Sequence, residues 1–191
     1  MPIQDRRIQE KRELKEKIIT TAIEIAGESG WSQVSVRNIS ERIRYSSIMI
    51  YSLFGSKENL FAELKRFGFG KLLEAYARMI PTNDDQKKAV KDLTESTLSF
   101  YFENRQLYQV MFGIIGLPGV PDSCGEESDS YRVAEFIKNV LSNAAEGDID
   151  SLFFRWWALV HGFISIGASM SEDRFRQILP YLDEALEKFL E

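Results

Sequence analysis

Apolar residues recur three or four apart through the long segments of the chain, the spacing of a helix rather than the alternation of a strand, and only 5 prolines interrupt them. That regularity confines the fold to helices packed on helices. Residues 6–28 place Ile18, Ile19, Ala22, Ile25 and Ala26 on one stripe, and Gly30 follows as a C-terminal stop. Residues 31–36, Trp-Ser-Gln-Val-Ser-Val, alternate as a short strand would, but six residues with no partner strand favour a loop entering a helix, with Ser35 as its N-cap. The pieces then shorten. Residues 36–43 make about two turns, Arg44-Tyr45-Ser46 is a break, and residues 47–54 make about two more before Gly55. Ser56 caps a helix running to about residue 79 and stopped by Pro81; Glu58 and Glu63 come early in it and Lys65, Arg66 and Lys71 late, the order that suits a helix dipole. Further helices are expected over 84–104, 106–115, 133–145, 150–170 and 173–190, about nine in all. Residues 116–129, GLPGVPDSCGEESD, are the clearest loop. The fold class expected is all-α, with a small three-helix module followed by a larger helical domain.

A chain of 191 residues with 44% apolar and 28% charged residues can bury a sizeable core. Its longest stretches without formal charge, 106–121 and 156–171, are interrupted by Gly, Pro, His or Ser and fall short of the roughly 18 apolar residues of a membrane span. No transmembrane helix is expected. The N-terminus runs into alternating charges without an apolar segment, so no signal peptide is read there and a cytoplasmic location is expected. One cysteine, Cys124, leaves no internal disulfide or cysteine-based zinc cage, and one histidine, His161, leaves few ways to build a metal site or activate a nucleophile. Neither a metal nor a cofactor is expected, and no base–nucleophile pair or phosphate-cradling glycine loop suggests an enzyme. Cys124 lies in the acidic loop, where a raised thiol pKa and low reactivity are expected.

The net charge of −5 divides unevenly along the chain. Residues 1–71 hold 13 Lys+Arg against 9 Asp+Glu, a net of +4, and residues 72–191 hold 11 against 20, a net of −9. A basic module on an acidic body suits a protein whose first third approaches phosphate, although chance clustering gives the same numbers. Two short helices three residues apart suggest a helix-turn-helix; an ordinary pair of short core helices is the alternative. In a helix-turn-helix the second helix enters the major groove. Ile50 and Phe54, spaced i and i+4, should then face inward with Ile39 and Ile43, leaving Ser47, Ile48, Met49, Tyr51 and Ser52 nearer the DNA.

The run Gly30-x4-Ser35-Val36-Arg37-x-Ile39-Ser40-x4-Tyr45-Ser46-x4-Tyr51-Ser52-Leu53-Phe54-Gly55-Ser56-Lys57-Glu58-x-Leu60 resembles the N-terminal domain of the TetR family of transcriptional repressors. The family's Tyr-x-x-Phe-x-[Ser/Asn]-Lys-x-x-Leu stretch is matched by Tyr51, Phe54, Ser56, Lys57 and Leu60. The resemblance implies that Ser35 and Arg37 meet phosphate at the start of one helix, that Tyr45 and Ser46 through Met49 and Ser52 face the DNA, and that Tyr51 and Lys57 hold phosphates. Helix N-termini, phenols and ammonium groups are suited to that work. The sequence departs from the family at four positions. Ile48 and Met49 stand where many members have Gly, Pro, Ala or Thr, and can pack on thymine methyls but not read hydrogen-bond patterns. Arg44 replaces the usual Gly of the turn and Tyr45 the usual Val. A left-handed Arg44 would carry strain of about 1–2 kcal/mol.

Farther on, Trp157-Ala-Leu-Val-His161-Gly162 and Leu107-Tyr108-x-x-Met111-Phe112 resemble one subgroup of that family. Ala158, Gly162, Ser165 and Ser169 form a stripe of small residues along one helix, which lets another helix approach closely. In the family the last two helices pair with those of a second subunit, which implies a homodimer seam of these four with Phe175, Leu179, Leu182 and Leu186. Phe102, Met111, Phe112, Phe136, Trp156, Val160 and His161 are then the expected lining of an effector pocket, with the 116–129 loop at its mouth; a core role for Trp156 and a structural role for His161 are the plainer alternatives. The resulting expectation is a ligand-responsive repressor. Residues 1–55 bind double-stranded operator DNA, a linking helix spans 56–79, and residues 56–191 take up a small apolar or aromatic effector and dimerise. A helical small-molecule-binding or adaptor protein that has lost DNA binding is the other reading, suggested by the apolar Ile48–Ile50 run and the missing turn glycine.

Overall fold

A computed structural model describes residues 3–78, 85–113 and 128–190; the 116–129 loop up to residue 127, with Cys124 in it, lies outside the described residues. Among those described there are nine α-helices and one 3-10 turn, and no strand. The first helix, α1, is Ile3–Ser29. Its leading half is braced on the surface by Arg6–Glu10 and Arg12–Glu16 pairs at 2.8 and 3.3 Å, whereas Ile18, Ile19, Ala22, Ile25 and Ala26 of its second half are buried as the stripe requires. Gly30 follows at φ 83°, and the alternating segment after it makes a 3-10 turn at Trp31–Gln33 instead of a strand. α2 is Val36–Ile43 and α3 is Ser47–Phe54, joined by three residues. The chain continues through α4, Lys57–Ala77; α5, Gln86–Glu103; α6, Arg105–Phe112; α7, Asp129–Ala144; α8, Ile149–Gly167; and α9, Glu172–Phe189. The start of α7 lies four residues ahead of the expected 133, because Ser128 accepts a hydrogen bond from the Tyr131 amide and Asp129 suits the helix N-terminus. An apolar stripe marks where a helix packs, and its cap marks where it begins.

The chain divides into two compact units, one of residues 1–68 with 106–123, the other of residues 69–105 with 124–191. In the first, Ile18, Ala22, Ile39, Ile50, Leu60 and Leu64 are buried together with Trp31, whose ring tilts against Phe61 at 5.7 Å. Arg42 holds Glu28 with two hydrogen bonds of 2.8 and 2.6 Å, tying α2 to α1 and keeping that carboxyl below its ordinary range. Gly68 in α4 leaves room for α6, since a Cβ there would stand 2.5 Å from the Met111 sulfur.

The second unit packs α5, α7, α8 and α9 around Leu93, Ile137, Leu141, Trp156, Val160, Ile164 and Phe175. Two threonines of α5 supply its buried polar contacts. Thr94 gives its proton to the Val90 carbonyl at 2.9 Å and accepts one from the Trp156 indole at 3.0 Å. Thr97 likewise donates to Leu93, so Tyr76, 2.8 Å away, is the donor in their pair. Every polar atom of this cluster is satisfied, as burial demands. Three residues expected on the dimer seam, Phe175, Leu182 and Leu186, are each 1% exposed within this chain. The apolar stripe of α9 is taken up by its own neighbours.

Candidate nucleic-acid interface

The interface is built by two local signals on either side of a tight turn. Ser35 caps α2 by accepting from the Asn38 amide at 3.1 Å, and Ser46 caps α3 by accepting from the Met49 amide at 3.3 Å. Between them Arg44 closes α2 in the left-handed region, φ 59° and ψ 42°, the strained alternative raised by its replacement of glycine. Gly55, at φ 77°, ends α3, and Ser56 restarts the chain by accepting from the Asn59 amide at 3.1 Å. Ile50 and Phe54 turn inward and are buried, as are Ile39 and Ile43 of α2. With these four side chains committed to the core, the opposite side of α3 is turned outward.

On that outward side lie the residues singled out from the sequence. Ile48 is 80% exposed, Tyr51 50%, Tyr45 44% and Met49 43%. Ser46 and Ser52 are exposed and Ser47 half-buried, where its hydroxyl meets Ser40 at 3.0 Å and thereby joins α3 to α2. Arg37 extends into solvent beside Glu41 at 2.9 Å, and Lys57 lies at the start of α4 with its ammonium 5.6 Å from the Phe61 ring. Ser35 is half-buried under its cap. Sequence reasoning also misses where two cations of α1 lie: Lys17 borders this surface, 5.6 Å from the ring of the exposed Tyr45, and Lys15 is 5.6 Å from the ring of Phe54, on the buried side of α3. Both occur in a run of mixed charges, and nothing in the order of residues says which other helix they would meet.

The expected effector residues are divided between the two units. Met111, buried, and Phe112, against Tyr108 at 4.6 Å, belong to the first unit, and the other five to the second, so the seven do not make one site within either. Phe136 stacks on Tyr76 at 5.3 Å. Phe102 packs on Phe175 at 5.2 Å beneath the guanidinium of Arg176 at 5.1 Å. Trp156 and Val160 are core, and His161 is half-buried edge-on to Trp157, 4.4 Å between ring centres. Burial drives the imidazole of His161 down to about 4, so it is neutral at physiological pH. Of the expected seam, Ala158, Ser165 and Ser169 are exposed and Gly162 and Leu179 half-buried; Phe154, Ile166 and Tyr181, 66%, 55% and 65% exposed, are large apolar side chains that sequence reasoning does not place on that surface.

An outward-facing two-turn helix, capped at both ends and held across a second by a three-residue turn, defines a helix-turn-helix DNA-binding protein. Residues 18–64 match the bacterial regulatory proteins of the tetR family. That segment is a DNA-binding domain of the family's kind, and the chain that carries it is a DNA-binding transcriptional regulator. No curated protein matches the chain. Among solved structures it is similar to a protein of unknown function from Rhodococcus sp. RHA1, at 18% identity over 93% of each chain with a TM-score of 0.73. A TetR-like transcriptional regulator from the same organism shares 21% identity over 87% of this chain and 91% of its own, TM-score 0.60. The TetR family transcriptional regulator PfmR from Thermus thermophilus shares 20% over 89% and 97%, TM-score 0.61. At such identities the likeness shows that the helical fold extends over nearly the whole chain. No helix among the described residues is long and apolar enough to cross a membrane.

Proposed function

We propose that the protein is a homodimeric repressor, acting in the cytoplasm, which places α3 in the major groove of a roughly palindromic operator and is released by a small apolar or aromatic effector. The observation that carries this reading is the outward face of α3, flanked by Tyr45, Tyr51, Lys57 and the basic Lys17. Residues 1–55 then act as the DNA-binding module, and residues 56–191 as the effector-binding and dimerisation domain. Tyr51, Lys57, Ser35 and Arg37 hold phosphates, fixing register without reading sequence, while the outward residues of α3 meet base edges. The exposed strip of α8, from Phe154 through Ala158 and Gly162 to Ile166, with Tyr181 of α9, forms the seam; a Cβ at Gly162 would meet nothing of this chain within 4 Å. Two subunits related by a two-fold axis present two copies of α3 to half-sites about one helical turn, or a multiple of it, apart. An effector releases DNA only by binding the DNA-incompetent arrangement more tightly, so operator must weaken effector binding by the same factor.

The test is a mobility-shift titration over a series of salt concentrations. Lys57→Ala should weaken binding to every sequence and lower the slope of log affinity against log salt by about 1 per subunit. An unchanged slope removes Lys57 from the phosphate contacts, and salt-independent binding of the parent protein defeats the assignment of this surface to DNA.

A further inference from the structure

The helix assigned above to the major groove has almost nothing with which to hydrogen-bond a base. Its sequence, Ser-Ile-Met-Ile-Tyr-Ser-Leu-Phe, holds no Arg, Lys, Asn, Gln, Asp or Glu, the side chains that grip base edges through paired hydrogen bonds. Its serines are engaged with the protein itself. Ser46 turns its oxygen to the Met49 amide at 3.3 Å. Ser40 gives its only proton to the Arg37 carbonyl at 2.8 Å, so in the 3.0 Å pair between Ser40 and Ser47 the donor is Ser47, and its proton is committed too. Ser52 donates to the Met49 carbonyl at 2.7 Å. Beside Tyr51, which is 50% exposed and assigned above to phosphate, what projects from the helix is aliphatic: Ile48 at 80% and Met49 at 43% exposure. Of the groups that base pairs display in the major groove, the thymine C5 methyl is the one that gains from meeting such side chains.

We propose that Ile48 and Met49 read the operator through thymine methyl groups, so that this protein tells thymine from cytosine by the C5 substituent and not by the hydrogen-bonding edge. The inference rests on the placement of α3 in the groove and adds the chemistry of its specificity. It has an unusual consequence. A cytosine carrying a 5-methyl group should pass for thymine, and a uracil should not.

The experiment uses the full chain and a half-site obtained by in vitro selection, with four duplexes that differ at one thymine position in both half-sites: T·A, U·A, C·G and 5-methyl-C·G. Thymine and 5-methylcytosine should bind alike, with uracil and cytosine weaker by about fourfold per half-site, the factor for burying one methyl-sized group, or roughly 15-fold for the palindrome. Thymine and uracil binding alike, with 5-methylcytosine as weak as cytosine, would overturn the proposal by showing that the edge is read. A selected half-site with no thymine at a position that matters would overturn it as well. Ile48→Ala combined with Met49→Ala removes only exposed side chains, and should weaken binding to the thymine and 5-methylcytosine duplexes down to the level of uracil and cytosine, making thymine and uracil equal. A methyl preference that survives in this variant would reassign the reading to other residues and overturn the proposal. These outcomes presuppose operator binding; selection that enriches no sequence overturns that reading and this one together, whereas an enriched site on which thymine and uracil bind alike overturns this one alone.

Discussion

Arg44 holds a backbone conformation that L-residues with a side chain adopt only at a cost of about 1–2 kcal/mol. The turn is imposed by α2 and α3, whose buried Ile39, Ile43, Ile50 and Phe54 fix where the chain must reverse. Arg44→Gly relieves that strain but loosens the unfolded chain, an opposing effect of about 0.5–1 kcal/mol. The net expectation is a gain of about 0.5–1 kcal/mol, seen as a higher urea midpoint at unchanged slope. His161 gives a second measurement at this scale, because a chain with one histidine has one imidazole resonance to follow. In the unfolded chain that ring takes up a proton near pH 6.5 and in the folded chain near about 4. The folded state therefore binds fewer protons between those values, and stability is fullest above pH 6.5 and declines as pH falls toward 4. The proton NMR signal of His161 should keep its neutral shift down to about pH 5; a midpoint near 6.5 would mean the ring is solvated after all.

Among the helices, two glycines of α8 make opposite demands. A Cβ on Gly167 would stand 2.6 Å from ring atoms of the buried Phe175, so this glycine lets α9 close against α8, whereas one on Gly162 would touch nothing of the chain. Gly167→Ala should destabilise by about 1–3 kcal/mol through overpacking, and Gly162→Ala should be neutral or stabilising by up to about 1 kcal/mol from helix propensity, measured by chemical denaturation. Equal effects would show that Phe175 can move aside. The contrast also marks how far sequence reasoning reaches. The elements 36–43 and 47–54 are legible to the residue because Ser35, Ser46 and Gly55 are local signals, and the outward set on α3 follows from Ile50 and Phe54 being one turn apart. That Phe175, Leu182 and Leu186, expected on the seam, are buried within the chain is not legible in the sequence, because a helical period reveals an apolar face without saying whether the same chain or another covers it. Lys15 and Lys17 escape notice for a related reason: their approach to Phe54 and Tyr45 is a tertiary fact.

For the molecule as a whole, the proposed seam predicts that assembly and operator binding fail together. Gly162→Leu puts a branched side chain where this chain leaves open space, so it should fold normally yet dissociate the dimer in light scattering and lose tight operator binding. A stable dimer with unaltered binding would move the seam off α8. The capping of α3 has a consequence for what can be changed without penalty. The helix begins on its own Ser46, ends on its own Gly55, and lends Ile50 and Phe54 to the core, with Leu53 half-buried beside them. In the proposed reading the outward positions 48, 49 and 52 answer to the bases and to little else, while Tyr51 keeps the register on phosphate. The protein's address on a genome is thus written in a replaceable cassette: exchanging those few side chains should redirect the regulator to new promoters while the rest of the chain, and whatever signal it obeys, stays as it is.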